Sequence, residues 1–196
     1  MGICALNTCC NNLERTQSCV NFHFIEEDYN YTTRSEKLYL NNGKSIDNNQ
    51  LLLSRKYFII INELKQNPTE YIIQSKSHNL FDIFLKLKTS VPFIFLENNK
   101  LDIISYLMDC QEQTSIIEKE KEIKSKLNNG NINNLCLMQY ITICNDVKEN
   151  VWYFLEENED DIDKIFSNSF KYIMIICLPK KTDSEKNIIY FILYNI

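Results

Sequence analysis

One glycine and three cysteines among the first ten residues are candidates for covalent modification. Gly2 follows the first methionine, and Cys4, Cys9 and Cys10 follow shortly after it. A glycine exposed by removal of Met1 can accept a myristoyl group, and neighbouring cysteines can accept palmitoyl groups. We therefore predict lipidation of Gly2 and of Cys4, Cys9 or Cys10, a modification that directs the chain to a membrane and involves no catalysis.

Stable anchoring requires a second signal besides myristate. Each buried CH₂ contributes about 0.8 kcal/mol, so one myristoyl chain binds a bilayer only marginally. Basic residues are sparse near the N-terminus, where Arg15, Arg34 and Lys37 are separated by acidic residues, so palmitate has to supply the second signal. Leu6 stands where the myristoylation pattern has Ser or Thr. The alternative, in which Gly2 is an unmodified residue of a flexible terminus, therefore stays open.

Length and composition predict one folded domain after a short tether. The chain has 196 residues, of which 44% are hydrophobic and 24% charged, which is typical of a packed core. We expect a flexible acylated tether over 1–17 and a single domain over 18–196. The formal net charge of −5 argues against a nucleic-acid partner, because binding phosphates requires excess lysine and arginine.

Cysteine usage indicates a reducing compartment. The chain has eight cysteines, but its N-terminus lacks the basic and apolar regions of a secretory signal. Among the cysteines outside the first ten residues, three fall in or beside apolar stretches and are predicted to be small core residues: Cys136, Cys144 and Cys177. No apolar run approaches the roughly 20 residues needed to cross a bilayer.

Several motifs that suggest enzymatic or metal chemistry are incomplete. Gly43-Lys44-Ser45 resembles the end of a P-loop, but Leu38 occupies the position of its first glycine. The acidic segment 156–163 lacks the alternating spacing and glycine of a calcium-binding loop. Cys19 and His23 lack the paired cysteines of a zinc site. The sequence therefore predicts no catalytic residues, no metal and no cofactor.

Hydrophobic patterning predicts strands and helices in mixed order. Apolar runs or alternation favour strands at 20–24, 38–40, 71–73, 91–96, 135–144, 151–155, 172–178 and 188–194. Segment 51–64 is strongly apolar and reads as one long bent strand or two elements. Helices are predicted at 79–87, at 100–127 with a restart at the capping box that begins with Ser115, and at 160–170.

This order of elements predicts an α+β fold with a mostly antiparallel or mixed sheet and a few helices. Trp152, Tyr153 and Phe154 form an aromatic run on one of the predicted strands, where core packing is the expected role. The outward side of that strand is an alternative surface for a partner.

The N-terminus resembles that of small dually acylated proteins of apicomplexan parasites, such as the inner membrane complex sub-compartment proteins. The matching positions are Gly2, Cys9 and Cys10, with Cys4 as an additional cysteine. The resemblance implies a structural role in marking and organising a membrane territory. Proteins of that family continue into a pleckstrin-homology-like domain, which ends in a helix. This chain is instead predicted to end in a strand at 188–194, so the resemblance is limited to the terminus.

We therefore expect a lipid-anchored, non-catalytic scaffold or recruitment protein. Its partners would be a membrane, bound through acyl chains, and membrane-associated proteins. Its location would be the cytosolic face of the plasma membrane or of the inner membrane complex, with the cytoplasm as the alternative. Two other functions stay open, namely a longin-like trafficking adaptor and a small soluble enzyme of unknown chemistry.

Overall fold

A computed structural model describes residues 37–39, 45–68, 90–95, 100–111, 113–127 and 132–196. The tether 1–17, the strands at 20–24 and 71–73 and the helix at 79–87 lie outside these residues. The described helices are α1 (Asn48–Gln66), α2 (Lys100–Cys110), α3 (Ile116–Leu127), α4 (Val147–Glu157) and α5 (Glu159–Phe166). The described strands are β1 (Lys37–Tyr39), β2 (Ser45–Asp47), β3 (Ile94–Phe95), β4 (Leu135–Ile141), β5 (Tyr172–Lys180) and β6 (Asp183–Tyr194).

The main sheet is mixed, which confirms the predicted α+β class. Its strand order is β3-β5-β6-β4, in which β6 pairs antiparallel with both β4 and β5. The two-residue strand β3 pairs parallel with β5, and β1 forms a separate antiparallel pair with β2. The last two strands of the chain therefore occupy the middle of the sheet.

Helices cover both faces of this sheet and create two cores. Helices α1, α4 and α5 pack on one face and form the first core, whereas α2 and α3 pack on the other and form the second core. Alternate residues of β5 enter the two cores: Ile173, Ile175 and Cys177 the first, and Met174, Ile176 and Leu178 the second. Burial on both faces explains why β5 and β6 read as nearly continuous apolar runs.

The prediction for segment 51–64 was wrong, because this segment belongs to the long helix α1. Asp47 caps the helix, and a reciprocal bond joins its backbone N–H to the Gln50 side chain at 3.2 Å. The buried positions include Ser54, Tyr57, Ile61 and Leu64, which recur at helical spacing. Further apolar residues between these buried positions obscured the helical spacing, so the sequence favoured a strand.

The prediction of a strand at 151–155 was also wrong, because these residues lie within α4. Asp146 begins the helix by accepting a hydrogen bond from the Glu149 N–H at 2.9 Å. The aromatic run therefore spreads around a helix instead of alternating across a sheet. Phe154 is 1% exposed in the first core, whereas Tyr153 on another side is 40% exposed.

Most other described segments agree with the sequence. The strands predicted at 38–40, 135–144, 172–178 and 188–194 correspond to β1, β4, β5 and β6, and the helix predicted at 160–170 corresponds to α5. The region 100–127 divides into α2 and α3, with the predicted restart at Ser115 confirmed. Of the strand predicted at 91–96, the structure describes residues 91–95, and within these Ile94–Phe95 pairs with β5 whereas 91–93 are not in a strand.

Side chains from neighbouring helices meet both edges of the sheet. Past the end of β3, the Ser54 hydroxyl of α1 accepts a hydrogen bond from the Cys177 N–H at 3.2 Å. On the opposite edge, Lys124 of α3 donates to the Asn133 carbonyl at 3.2 Å just before β4. The Ile143 N–H just after β4 donates to the Asn150 side chain at 2.9 Å. These contacts satisfy backbone groups of β5 past β3 and on both sides of β4.

Candidate functional site

Helix α3 is held to the sheet by a buried lysine on its inner face. The Lys119 ammonium donates to the Gln111 carbonyl at 2.6 Å and to Oε1 of Gln139 on β4 at 2.8 Å. Its side chain is 2% exposed, and the neighbouring Ile123 is fully buried in the second core. This anchoring fixes which side of α3 faces solvent.

Replacing Lys119 with methionine is expected to lower the free energy of unfolding by about 2 kcal/mol, because the buried Gln111 carbonyl and the half-buried Gln139 side chain lose a charged donor. Methionine retains most of the apolar stem, so the loss of packing is small. Urea unfolding measures the difference. The exposed Lys121 on the same helix provides the control, because its replacement with methionine should change stability little. Equal effects of the two substitutions would contradict the anchoring role of Lys119.

An open groove lies between α3, residues 133–135 at the start of β4, and Phe170, which lies two residues before β5. Its volume is about 550 Å³. The lining combines three apolar residues with five polar or charged ones: Ile117, Leu135 and Phe170, and Glu120, Lys121, Lys124, Asn133 and Asn134. Concave sites with apolar surface and a few placed polar groups are typical of binding sites.

The α3 wall of the groove is positioned by a capping box. The Ser115 N–H donates to the Glu118 carboxylate at 3.1 Å, and the Glu118 N–H donates to the Ser115 hydroxyl at 3.3 Å. The Ser115 hydroxyl also donates to the Glu118 carboxylate, at 2.9 Å, and this bond, together with the one from the Ser115 N–H, holds the pKa of Glu118 below its usual value. These bonds also fix the first helical turn, which carries Ile116 and Ile117.

The opposite wall is assembled by Asn195, which follows the final strand. Its backbone N–H donates to the Asn134 carbonyl at 3.2 Å. Its side chain accepts from the Lys171 N–H at 2.8 Å and donates to the Ser169 carbonyl at 2.5 Å. One asparagine thus joins the entrances of β4 and β5 and places Phe170 beside Asn134.

The charges in the groove favour anions. Lys121 and Lys124 line it together with a single carboxylate, Glu120. Burial raises the pKa of Glu120, and the positive charges of Lys164 and Lys124 oppose that rise. The groove lining therefore has a net positive charge, although the whole chain has a formal net charge of −5.

Two large apolar side chains are exposed on the helix that lines this groove. Ile116 is 46% exposed and Ile117 is 68% exposed, and both lie in the first turn of α3. Ile117 lines the groove directly. Two adjacent exposed isoleucines beside a concave surface are a common feature of interaction sites.

The residues predicted to be lipidated, Gly2, Cys4, Cys9 and Cys10, lie outside the described residues. Cys19 and His23 lie outside them as well, and of Gly43-Lys44-Ser45 only Ser45 is described, in β2.

The described cysteines differ in burial. Cys177 is buried as predicted, whereas Cys136 and Cys144 are only partly buried. Within the part of the chain that the structure describes, no group of three metal-ligating side chains is found. In the same part, no helix is both long and apolar enough to span a bilayer.

The sequence analysis did not predict the groove. Its lining comes from segments around positions 117, 133 and 170, which are brought together by strand pairing and by Asn195. The one local signal is the pair Ile116-Ile117, which follows a helix cap in an otherwise charged segment. Comparison of the chain with protein-family models, curated proteins and solved structures found no match.

Proposed function

We propose that this protein is a lipid-anchored, non-catalytic scaffold or recruitment protein on the cytosolic face of a membrane. The observation that carries the proposal is the N-terminal sequence, in which Cys4, Cys9 and Cys10 closely follow Gly2. A myristoyl group on Gly2 would hold these thiols near the lipid headgroups. Palmitoylation there would supply the second chain that stable anchoring requires.

The groove beside α3 is the surface that we assign to recruitment. It is concave, carries exposed apolar side chains and has lysines at its side. An anchored domain is confined near the bilayer, so its effective concentration toward other membrane-bound proteins is high. Weak contacts through the groove would then be sufficient for assembly.

The N-terminal resemblance to inner membrane complex sub-compartment proteins supports the inner membrane complex as the location. The plasma membrane is the other candidate. Loss of palmitate would leave only myristate, which binds a bilayer with an association constant of about 10⁴ M⁻¹. Reversible palmitoylation would therefore allow release of the domain.

Fractionation of cells tests the anchor. Wild-type protein is expected to sediment with membranes, and Gly2→Ala is expected to become mostly soluble because it lacks the acceptor for the first lipid. A variant with serine at Cys4, Cys9 and Cys10 should also leave the membrane fraction. Cys19→Ser is the matched control and should stay membrane-bound, since Cys19 lies outside the N-terminal cluster.

Labelling with an alkyne analogue of myristate gives a second readout. Wild-type protein should incorporate the label, and Gly2→Ala should not. A soluble wild-type protein, or a Gly2→Ala variant that stays with the membranes, would overturn the proposal.

A further inference from the structure

We propose that the groove beside α3 binds an acidic peptide segment of a partner protein, with an apolar side chain against Ile117, Leu135 and Phe170 and a carboxylate beside Lys121 and Lys124. The inference deepens the proposed function and rests on it, because it gives the chemistry of the partner that the anchored domain would recruit.

The apolar part of the groove is suited to one side chain of a partner. Ile117 is 68% exposed at one wall, and Leu135 and Phe170 contribute from the other. Covering Ile117 would remove apolar surface from water, which is the main favourable term in association. The charged lining residues Glu120, Lys121 and Lys124 lie on the same helix as Ile117, so they would restrict which sequences can bring such a side chain into place.

The charge of the groove selects an acidic partner. Lys121 and Lys124 lie one turn apart on α3 and both line the groove. Lys124 donates to the Asn133 carbonyl at 3.2 Å, and an ammonium group has three protons to donate, so it can also bind a carboxylate. Glu120 would disfavour a second carboxylate close to it, and it faces Lys124 and Lys164.

The shape of the site favours a peptide over a bilayer surface. The groove has a volume of about 550 Å³. A lipid surface is nearly flat over such a small region and would contact only the rim of the groove. A peptide can place alternate groups into a concave site, and Asn133 and Asn134 provide amides that can bond its backbone. The observations therefore favour a protein partner.

Selection from a library of random short peptides tests the proposal. The full chain is made without acyltransferases, immobilised and used for selection. In parallel, Lys121→Glu/Lys124→Glu serves as the altered protein and Lys181→Glu/Lys186→Glu as the matched control. Lys181 lies in the β5–β6 turn and Lys186 lies near the start of β6, both at the opposite end of the sheet from Asn134 and Asn195.

Wild type and control are expected to enrich the same peptides, in which Asp or Glu lies beside a large apolar residue. These peptides should bind the Lys121→Glu/Lys124→Glu variant at least about tenfold more weakly, because each reversed charge repels the carboxylate. Lys121→Gln/Lys124→Gln should give an intermediate loss, and circular dichroism verifies that all variants are folded.

Three results would overturn the inference: no enrichment, enriched peptides without acidic residues, or equal binding to wild type and the charge-reversed variant. Binding of the unacylated chain to vesicles of phosphatidylcholine and phosphatidylserine, lost on charge reversal and without peptide enrichment, would identify a lipid contact instead. Because the chain used is unacylated, failure of peptide binding is distinct from failure of the anchor, which fractionation of Gly2→Ala measures separately.

Discussion

Replacing Asn150 with alanine is expected to lower the free energy of unfolding by about 3 kcal/mol, because this one side chain bonds the backbone of the loop between β4 and α4. Its Oδ1 accepts hydrogen bonds from the N–H groups of Ile143 at 2.9 Å and Cys144 at 3.3 Å. Its Nδ2 donates to the carbonyls of Cys144 at 2.7 Å and Asp146 at 2.8 Å. Asn150 is 2% exposed, so water has little access to replace these bonds.

The matched control is Asn158→Ala, at the other end of α4. The Asn158 side chain donates to a single carbonyl, that of Phe154, at 2.7 Å, and it is partly exposed. Its removal should cost about 1 kcal/mol. Urea unfolding of both variants measures the difference. An effect of Asn150→Ala no larger than that of Asn158→Ala would show that the loop does not depend on this side chain.

Replacing Lys65 with methionine is expected to lower the free energy of unfolding by about 2 kcal/mol at neutral pH. Lys65 lies at the end of α1 and is fully buried. Its ammonium donates to the Ile165 carbonyl at 2.5 Å and to the Ser167 carbonyl at 3.4 Å, and it lies 3.9 Å from the centre of the Phe93 ring. It thus supplies donors at the C-terminal end of α5, where carbonyls lack helical partners.

The difference in stability between wild type and Lys65→Met should widen as the pH is raised. Burial lowers the pKa of Lys65 from 10.5 to about 8, so the folded protein loses this proton before the unfolded chain does. Between these two pKa values the unfolded state binds more protons than the folded state does. Raising the pH from about 8 toward 10.5 therefore favours the folded state.

The gap between the two proteins should therefore grow from about pH 8 to pH 10, by at most about 1.4 kcal/mol per pH unit for one proton. Titration of tyrosines occurs in both proteins and largely cancels in the difference. Urea unfolding at pH 7, 8, 9 and 10 provides the measurement. A gap that stays constant or narrows would show that burial does not lower the pKa of Lys65.

The central strands could be predicted from sequence because residues 173–178 of β5 and 188–194 of β6 form continuous buried stretches. Both faces of β5 and β6 are buried, so nearly every residue from 172 to 178 and from 188 to 194 is apolar. The restart of a helix at Ser115 was equally clear, because the capping box is a local interaction within four consecutive residues.

Helices α1 and α4 were not predicted as helices because their residue types favour strands more strongly than their hydrophobic spacing favours a helix. Both contain runs of β-branched or aromatic residues, which favour strands when considered alone. Each has an aspartate at its start, Asp47 and Asp146, followed three residues later by Gln50 and Glu149. Those pairs are the helix-start signals that length and period would have supported.

The groove could not be predicted because its geometry depends on distant contacts. Phe170 and Leu135 come together only when β4 and β5 both pair with β6, and Asn195 then joins the strand entrances. No local sequence pattern predicts the register in which β4 and β5 pair with β6. The predicted lipidation sites are different, since an acyltransferase recognises a short linear sequence and requires no fold.

The position of β5 and β6 in the chain has a consequence for biosynthesis. Helices α1 to α5 and strand β4 are all translated before residue 172, yet both cores are built around strands that follow it. The apolar faces of the nascent helices therefore have no central strands to pack on until β5 and β6 have been translated. A product of premature termination would carry an intact N-terminal sequence and no folded domain, which makes such fragments substrates for chaperones and proteolysis.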